Sequence, residues 1–132
     1  MTLIVDASVA VKWFAKEDQI AEARLLLDRD DLAAPEFIFL ELFHALWNLA
    51  RRNQFHMHDI EPSLMRMRDV FAYFAPQETL RGDAMRLALH RNLAIYDCLY
   101  IALAQREGAT LITADEKQLA IARQARSDVK LL

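Results

Sequence analysis

Only one cysteine, two glycines and three prolines occur in these 132 residues, and each scarcity excludes something. A single thiol, Cys98, closes no internal disulfide, and no Cys/His spacing matches a structural zinc site, so neither staple stabilises the fold. So little glycine and proline, beside 55% hydrophobic and 27% charged residues, excludes the disordered and fibrous classes. Long apolar runs are missing as well. Asp6 interrupts the opening run after Leu3-Ile4-Val5, no basic segment precedes it, and nothing approaches the roughly 18 apolar residues of a membrane span. A soluble, cytoplasmic protein without membrane association is therefore expected. Positive charge is also short: the net charge is −3, which excludes nucleic-acid binding by bulk basicity while leaving a local basic patch open. The length suits one domain, since single cores run to about 100 to 150 residues, and a two-domain cofactor enzyme is not expected.

What is present is an alternation of short apolar strands and helices. Residues 2–5 read as a buried parallel strand and residues 8–14 as a helix. A second helix is expected over 20–27, and Leu32-Ala33-Ala34 is short enough to be a minimal strand. Pro35 suits the turn before a helix over 36–52, which is apolar nearly all round and so expected to be buried. After a polar break, Asp59 is placed to cap a helix running to about residue 73, and Pro76 closes that region. Helices follow over 80–92 and 97–106, with Gly108 as a stop, then a strand over 109–113, a helix over 115–125 and a last strand over 129–132. The alternation predicts an α/β fold with a small parallel sheet.

Four acidic residues do not behave like surface charges. Glu41 lies inside the most apolar helix, flanked at helical spacing by Phe37, Ile38, His44 and Ala45, with no local cation to pair with. A desolvated carboxylate needs a partner, a shifted pKa or a bound cation; a solvated stripe or a pair with His44 is the competing reading. Asp97 is similarly isolated, although an aspartate opening a helix is also an ordinary N-cap. Asp115, in Asp115-Glu116-Lys117-Gln118, reads as a capping box when taken alone. Asp6 directly follows the first strand and Asp115 nearly follows a later one. If those strands are parallel, both emerge at the carboxyl edge of the sheet, where open α/β folds bind ligands. Asp97 and Glu41 are expected at the same edge. Four converging carboxylates repel unless a cation neutralises them, and oxygen-only ligation favours Mg²⁺ or Mn²⁺ over Zn²⁺. Such metals support phosphodiester hydrolysis.

Leu3-Ile4-Val5-Asp6-Ala7-Ser8-Val9, Glu41 in a helix after Pro35, Tyr96-Asp97-Cys98-Leu99-Tyr100-Ile101-Ala102-Leu103-Ala104 and Leu111-Ile112-Thr113-Ala114-Asp115 resemble, in order and spacing, the PIN-domain family, and within it the VapC-type toxins of bacterial toxin–antitoxin pairs. The resemblance spans nearly the whole chain. It implies a single PIN domain over residues 1–132 with a three-layer α/β/α fold, and a metal-dependent endoribonuclease whose Mg²⁺ or Mn²⁺ ligands are Asp6, Glu41, Asp97 and Asp115. Ser8 and Thr113 match hydroxyl positions that support the site, although helix capping and plain strand chemistry also account for them. It further implies an RNA substrate, a homodimer and neutralisation by a cognate antitoxin. Many relatives carry asparagine where this chain has His44, which is expected to be a satisfied core residue and not a ligand.

Other signals are weaker. His56-Met57-His58-Asp59 has metal-binding residue types but lacks the remaining ligands of a motif, and Cys98 and the methionines suit packing. Lys12, Lys16, Arg51, Arg52, Arg81, Arg86 and Arg91 are candidates for phosphate contacts, Lys12 foremost because it lies one turn beyond Ser8. No nucleotide-cofactor motif is present. An aspartyl phosphotransferase would need a second aspartate two residues after Asp6, where Ser8 stands. A noncatalytic PIN-like protein-interaction module is the alternative, because fold does not guarantee activity.

Overall fold

A computed structural model describes residues 1–15 and 20–132. Five short strands, β1 (Leu3–Val5), β2 (Leu32–Pro35), β3 (Tyr73–Ala75), β4 (Thr110–Thr113) and β5 (Val129–Leu131), form one sheet ordered β3-β2-β1-β4-β5. Every pairing is parallel, with Leu3 opposite Leu32, Ile4 opposite Leu111, Ala34 opposite Phe74 and Ile112 opposite Lys130. Parallel neighbours require crossover connections, and α1 (Ala7–Phe14), α2 (Ile20–Leu25), α3 (Ile38–Arg51), α4 (Ile60–Val70), α5 (Gln77–Arg91), α6 (Ile95–Glu107) and α7 (Glu116–Gln124) supply them. The result is the expected three-layer α/β/α fold. Helices on both faces explain why the inner strands are apolar without alternation: Ile4, Val5, Leu32, Ala33, Ala34 and Leu111 have no exposed surface. The chain builds outward from β1 to β2 and β3, then returns to place β4 on the other side of β1. That reversal puts a crevice at the carboxyl ends of β1 and β4.

Several boundaries depart from the sequence expectation, each for a local reason. Pro35 is not in a turn; it is the last residue of β2, opposite Ala75. The β1–β2 pairing ends at Ile4 and Ala33, so the N–H that Pro35 lacks removes no bond to β1. The helix expected to reach residue 73 stops at Val70, because 73–75 are drawn into the sheet as β3. Helix α5 starts at Gln77 behind Pro76, ahead of the expected residue 80. Asp59 occupies the position before α4 but makes no side-chain cap, and its carbonyl accepts from the Ser63 hydroxyl at 2.6 Å instead. The second helix is α2 followed by a short 3₁₀ turn over Leu26–Asp28; Lys16 and the side chain of Ile20 lie outside the described residues.

The helix buried all round is α6 and not α3. Every residue of α6 from Cys98 to Ala104 is buried, where the helix crosses β1, β2 and β4. In contrast, α3 lies between α1 and α4 and buries one stripe, Ile38, Leu42, Leu46 and Ala50, leaving Leu40 and Phe43 exposed. Apolar composition says which helix can be buried; the number of elements packed around it decides which one is. Gly108 ends α6 in the left-handed region at φ 60°, as its position predicts. No helix among the described residues is long and apolar enough to cross a membrane.

Candidate active site

Asp6 joins two elements. Its backbone N–H still follows the β1–β4 ladder, donating to the Ile112 carbonyl at 3.2 Å, while its side chain caps α1. Oδ1 accepts from the Ser8 amide at 3.0 Å and the Ser8 hydroxyl at 2.5 Å; Oδ2 accepts from the Thr113 hydroxyl at 2.5 Å. Burial nevertheless pushes this carboxyl above the usual carboxylate range, against the pull of those donors. The hydroxyls also hold the end of β4: Ser8 Oγ accepts from the Ala114 amide at 2.9 Å, and Thr113 Oγ1 accepts from the Asp115 amide at 3.1 Å. Ser8 is thus not the cap of α1, which is Asp6. Thr113, wholly buried, bridges the β1 and β4 ends.

Glu41 stands in the first turn of α3. The Tyr100 hydroxyl, buried in α6, donates to its Oε1 at 2.5 Å. Burial first, then the neighbouring charges of Asp6 and Asp97, push the Glu41 carboxyl up to about 7, while the Tyr100 bond pulls the other way. Tyr100 itself is held well above the ordinary phenol range by burial and by Glu41, so it stays a donor. Nothing in the chain's motifs marked Tyr100 as part of the site. The available signal was its spacing: three residues after Asp97, it shares a helix face with that acid.

Asp97 is the third residue of α6, with Ala94 at the cap position, so the N-cap expectation for it does not hold. It is half-buried, and burial followed by the charge of Asp115 raises its carboxyl, with Lys117 opposing. Asp115 does cap α7, its Oδ1 accepting from the Lys117 amide at 2.9 Å. One turn on, buried Gln118 reaches back and donates through Nε2 to the Asp97 carbonyl at 3.3 Å, tying α7 to the start of α6. Its Oε1 has no hydrogen-bond partner among the described residues. Sequence reasoning counted Gln118 only as part of a capping box.

Electrostatic influence therefore runs from Asp6 to Glu41, from Asp97 to Glu41 and from Asp115 to Asp97. Among the described residues, the ion pairs Met1–Asp31, Arg29–Asp31, Arg86–Asp83 and Arg106–Glu107 leave these four acids out. Equally, no three His, Cys, Asp or Glu side chains among the described residues stand at the spacing of a ready-made metal cage. The donor set fits a hard divalent cation in chemistry, being carboxylate and hydroxyl oxygens with excess negative charge. Mg²⁺ commonly takes one or two carboxylates and keeps several waters, so a closed cage is not required for that fit.

The remaining candidates separate. Lys12, in the last turn of α1, borders a cavity with Ala21, Glu22 and Leu132. The Leu132 amide donates to the Thr113 carbonyl at 2.7 Å, so Lys12 sits on the β5 flank of the same sheet edge. His44 is exposed, 6.0 Å from the Trp47 ring, and the expectation of a core histidine is overturned because α3 buries only one stripe. Arg86 pairs with Asp83, Arg91 donates to the Gln124 carbonyl at 2.7 Å, and Arg51 lies over Trp47 at 4.7 Å.

Comparison with known proteins gives consistent matches. The PIN domain family matches residues 3–124. A relative named Ribonuclease VapC3, from Pyrobaculum aerophilum, is 31% identical over 124 residues, covering 91% of this chain and 93% of that protein. Among solved structures, the protein PAE2754 from Pyrobaculum aerophilum aligns with a TM-score of 0.73 at 23% identity, over 98% of this chain and 83% of its own. VapBC2 from Rickettsia felis, bound to a DNA fragment from its promoter, aligns at 0.68 and 16% identity, over 100% of this chain and 99% of its own.

Proposed function

The chain belongs to the PIN-domain family, and from that premise we propose that it is a VapC-type ribonuclease toxin, a single PIN domain over residues 1–132 that cuts within RNA using Mg²⁺ or Mn²⁺. Asp6, Glu41, Asp97 and Asp115 are its ligands and catalytic acids, with Ser8 and Thr113 positioning Asp6, and Lys12 a contact for the RNA backbone. A cognate antitoxin neutralises it; the likeness to VapBC2 supports that partner. The same kinship supports a homodimer and a cytoplasmic location. The observation that carries the reading is the acidic edge itself: the charges of Asp6 and Asp97 raise the proton affinity of Glu41, that of Asp115 raises the proton affinity of Asp97, and among the described residues no arginine or lysine salt bridge reaches any of the four.

A bound divalent cation would polarise the phosphoryl group and make bound water a better nucleophile. The chain's own part is positioning. Two hydroxyls and an amide fix both oxygens of Asp6, so its remaining lone pairs face a set direction. Tyr100 fixes Oε1 of Glu41, leaving Oε2 free of that bond. With its pKa near 7, Glu41 holds a proton part of the time at neutral pH and releases it when positive charge arrives.

The test is RNA cleavage by purified protein in Mg²⁺, Mn²⁺ or EDTA, beside Asp6→Asn and Asp97→Asn. Cleavage that needs the cation and vanishes in both variants, with circular dichroism unchanged, is expected. Equal cleavage by wild type and both variants would defeat the assignment. Folded protein with no cleavage under any condition would indicate an interaction module.

A further inference from the structure

A cavity of about 810 Å³ opens between the start of α5 and the start of α6, bordered by Glu36, Glu78, Arg81, Met85, Tyr96 and Leu99. Two chain neighbours fix its relation to the acids. Tyr96 immediately precedes Asp97, and Phe37 lies one helical turn before Glu41. Their rings stack, with centroids 4.9 Å apart and planes 8° from parallel. The stack thus bridges the elements that carry Glu41 and Asp97. Tyr96 is 58% exposed and borders the cavity, so Phe37 covers one ring face and the other remains open. An aromatic ring backed by a second ring is a firm platform for a flat π-system.

Arg81 borders the same cavity and has no hydrogen-bond or ion-pair partner among the described residues. Its planar guanidinium suits phosphate oxygens. Glu36 and Glu78 line the wall too, and their carboxylates repel phosphate. An uncharged base is therefore the better occupant of the interior, with phosphate kept to the Arg81 side.

We propose that this cavity is a nucleobase subsite: a base flanking the cleaved linkage stacks on the open face of Tyr96, and an adjoining phosphate is held by Arg81. The proposal rests on the ribonuclease reading for its occupant, and it gives that reading a means of gripping single-stranded RNA on a protein of net negative charge. Base stacking on an aromatic ring is tolerant of sequence, so the subsite supplies affinity without dictating the target.

The probe is a fluorescein-labelled pool of random-sequence 12-nucleotide RNA. Binding is read by anisotropy without divalent ions, and cleavage by KM and kcat in Mn²⁺. Tyr96→Leu keeps an apolar contact for Phe37 but removes the π-face; it should weaken binding roughly tenfold or more and raise KM in step, with kcat little changed. Tyr96→Trp should bind at least as well as wild type. Arg81→Gln should lower the slope of log binding constant against log salt by about 0.7, the loss of one single-strand phosphate contact. Unchanged binding in Tyr96→Leu, or an equal loss in Tyr96→Trp, would overturn the subsite and leave the cavity to a protein partner. A wild type that binds RNA with this pattern but never cleaves it would count against the ribonuclease reading and not against the subsite.

Discussion

Replacing Glu41 with glutamine should make the metal-free protein more stable at pH 8 and no more stable at pH 4. Glutamine keeps an oxygen to accept the Tyr100 hydroxyl and removes only the charge. The unfolded chain loses the Glu41 proton near its ordinary 4.5, the folded chain near 7. Between those values the native state binds more protons than the unfolded state, so stability contributed by this group falls as pH rises through that window and is level above it. At about 1.4 kcal/mol per pK unit the full effect is roughly 3 kcal/mol. The residue is half-buried, and screening by solvent reduces the expectation to about 1–2 kcal/mol. The assay is urea unfolding in EDTA at both pH values, followed by the fluorescence of Trp13 and Trp47. Adding Mg²⁺ at pH 8 should raise the stability of wild type more than that of Glu41→Gln, shrinking the gap, because a ligand stabilises only to the extent that it binds the native state. A variant less stable than wild type at pH 8, or a difference that ignores pH, would refute the claim that Glu41 is held in place against its own charge.

Substitutions at two further positions separate support from chemistry. Thr113→Val removes a donor to Asp6 and an acceptor for the Asp115 amide in a fully buried place; unfolding should show a loss of about 1–3 kcal/mol, mostly recovered by Thr113→Ser. Asp115→Asn keeps a good N-cap and should melt like wild type while losing RNA cleavage, whereas Asp115→Ala should lose the cleavage and about 1 kcal/mol of stability as well. A cleaving Asp115→Asn protein would confine that residue to capping.

The parts legible in the sequence were those with a local signal. β1 and β4 are short, mainly apolar runs bounded by polar residues or glycine, and their shared direction was enough to bring Asp6 and Asp115 to one edge. β3 was not legible, because Tyr73-Phe74-Ala75 continues the preceding helical spacing and becomes a strand only through its pairing with β2. The exchange of roles between α3 and α6 has the same origin: both read as apolar, and only the tertiary arrangement decides which one three strands enclose. At the site, acid types and order were readable. Their supporting contacts were mostly not, since Tyr100 meets Glu41 across 59 residues and Gln118 meets Asp97 across 21. Those pairings are products of the fold: local spacing puts Tyr100 on the Asp97 face but names neither its partner nor that of Gln118.

The bond between Asp6 and Thr113 spans 107 residues of chain. Asp6 leaves the ribosome early, but the hydroxyl that steadies it, and the fourth acid beside it, emerge only after more than a hundred further residues have been made. A chain ending before β4 carries three of the four acids but lacks Asp115 and the Thr113 bond to Asp6. The acidic edge is therefore assembled late, once β4 has been made and can pair with β1, so its completion reports that nearly the whole chain has folded.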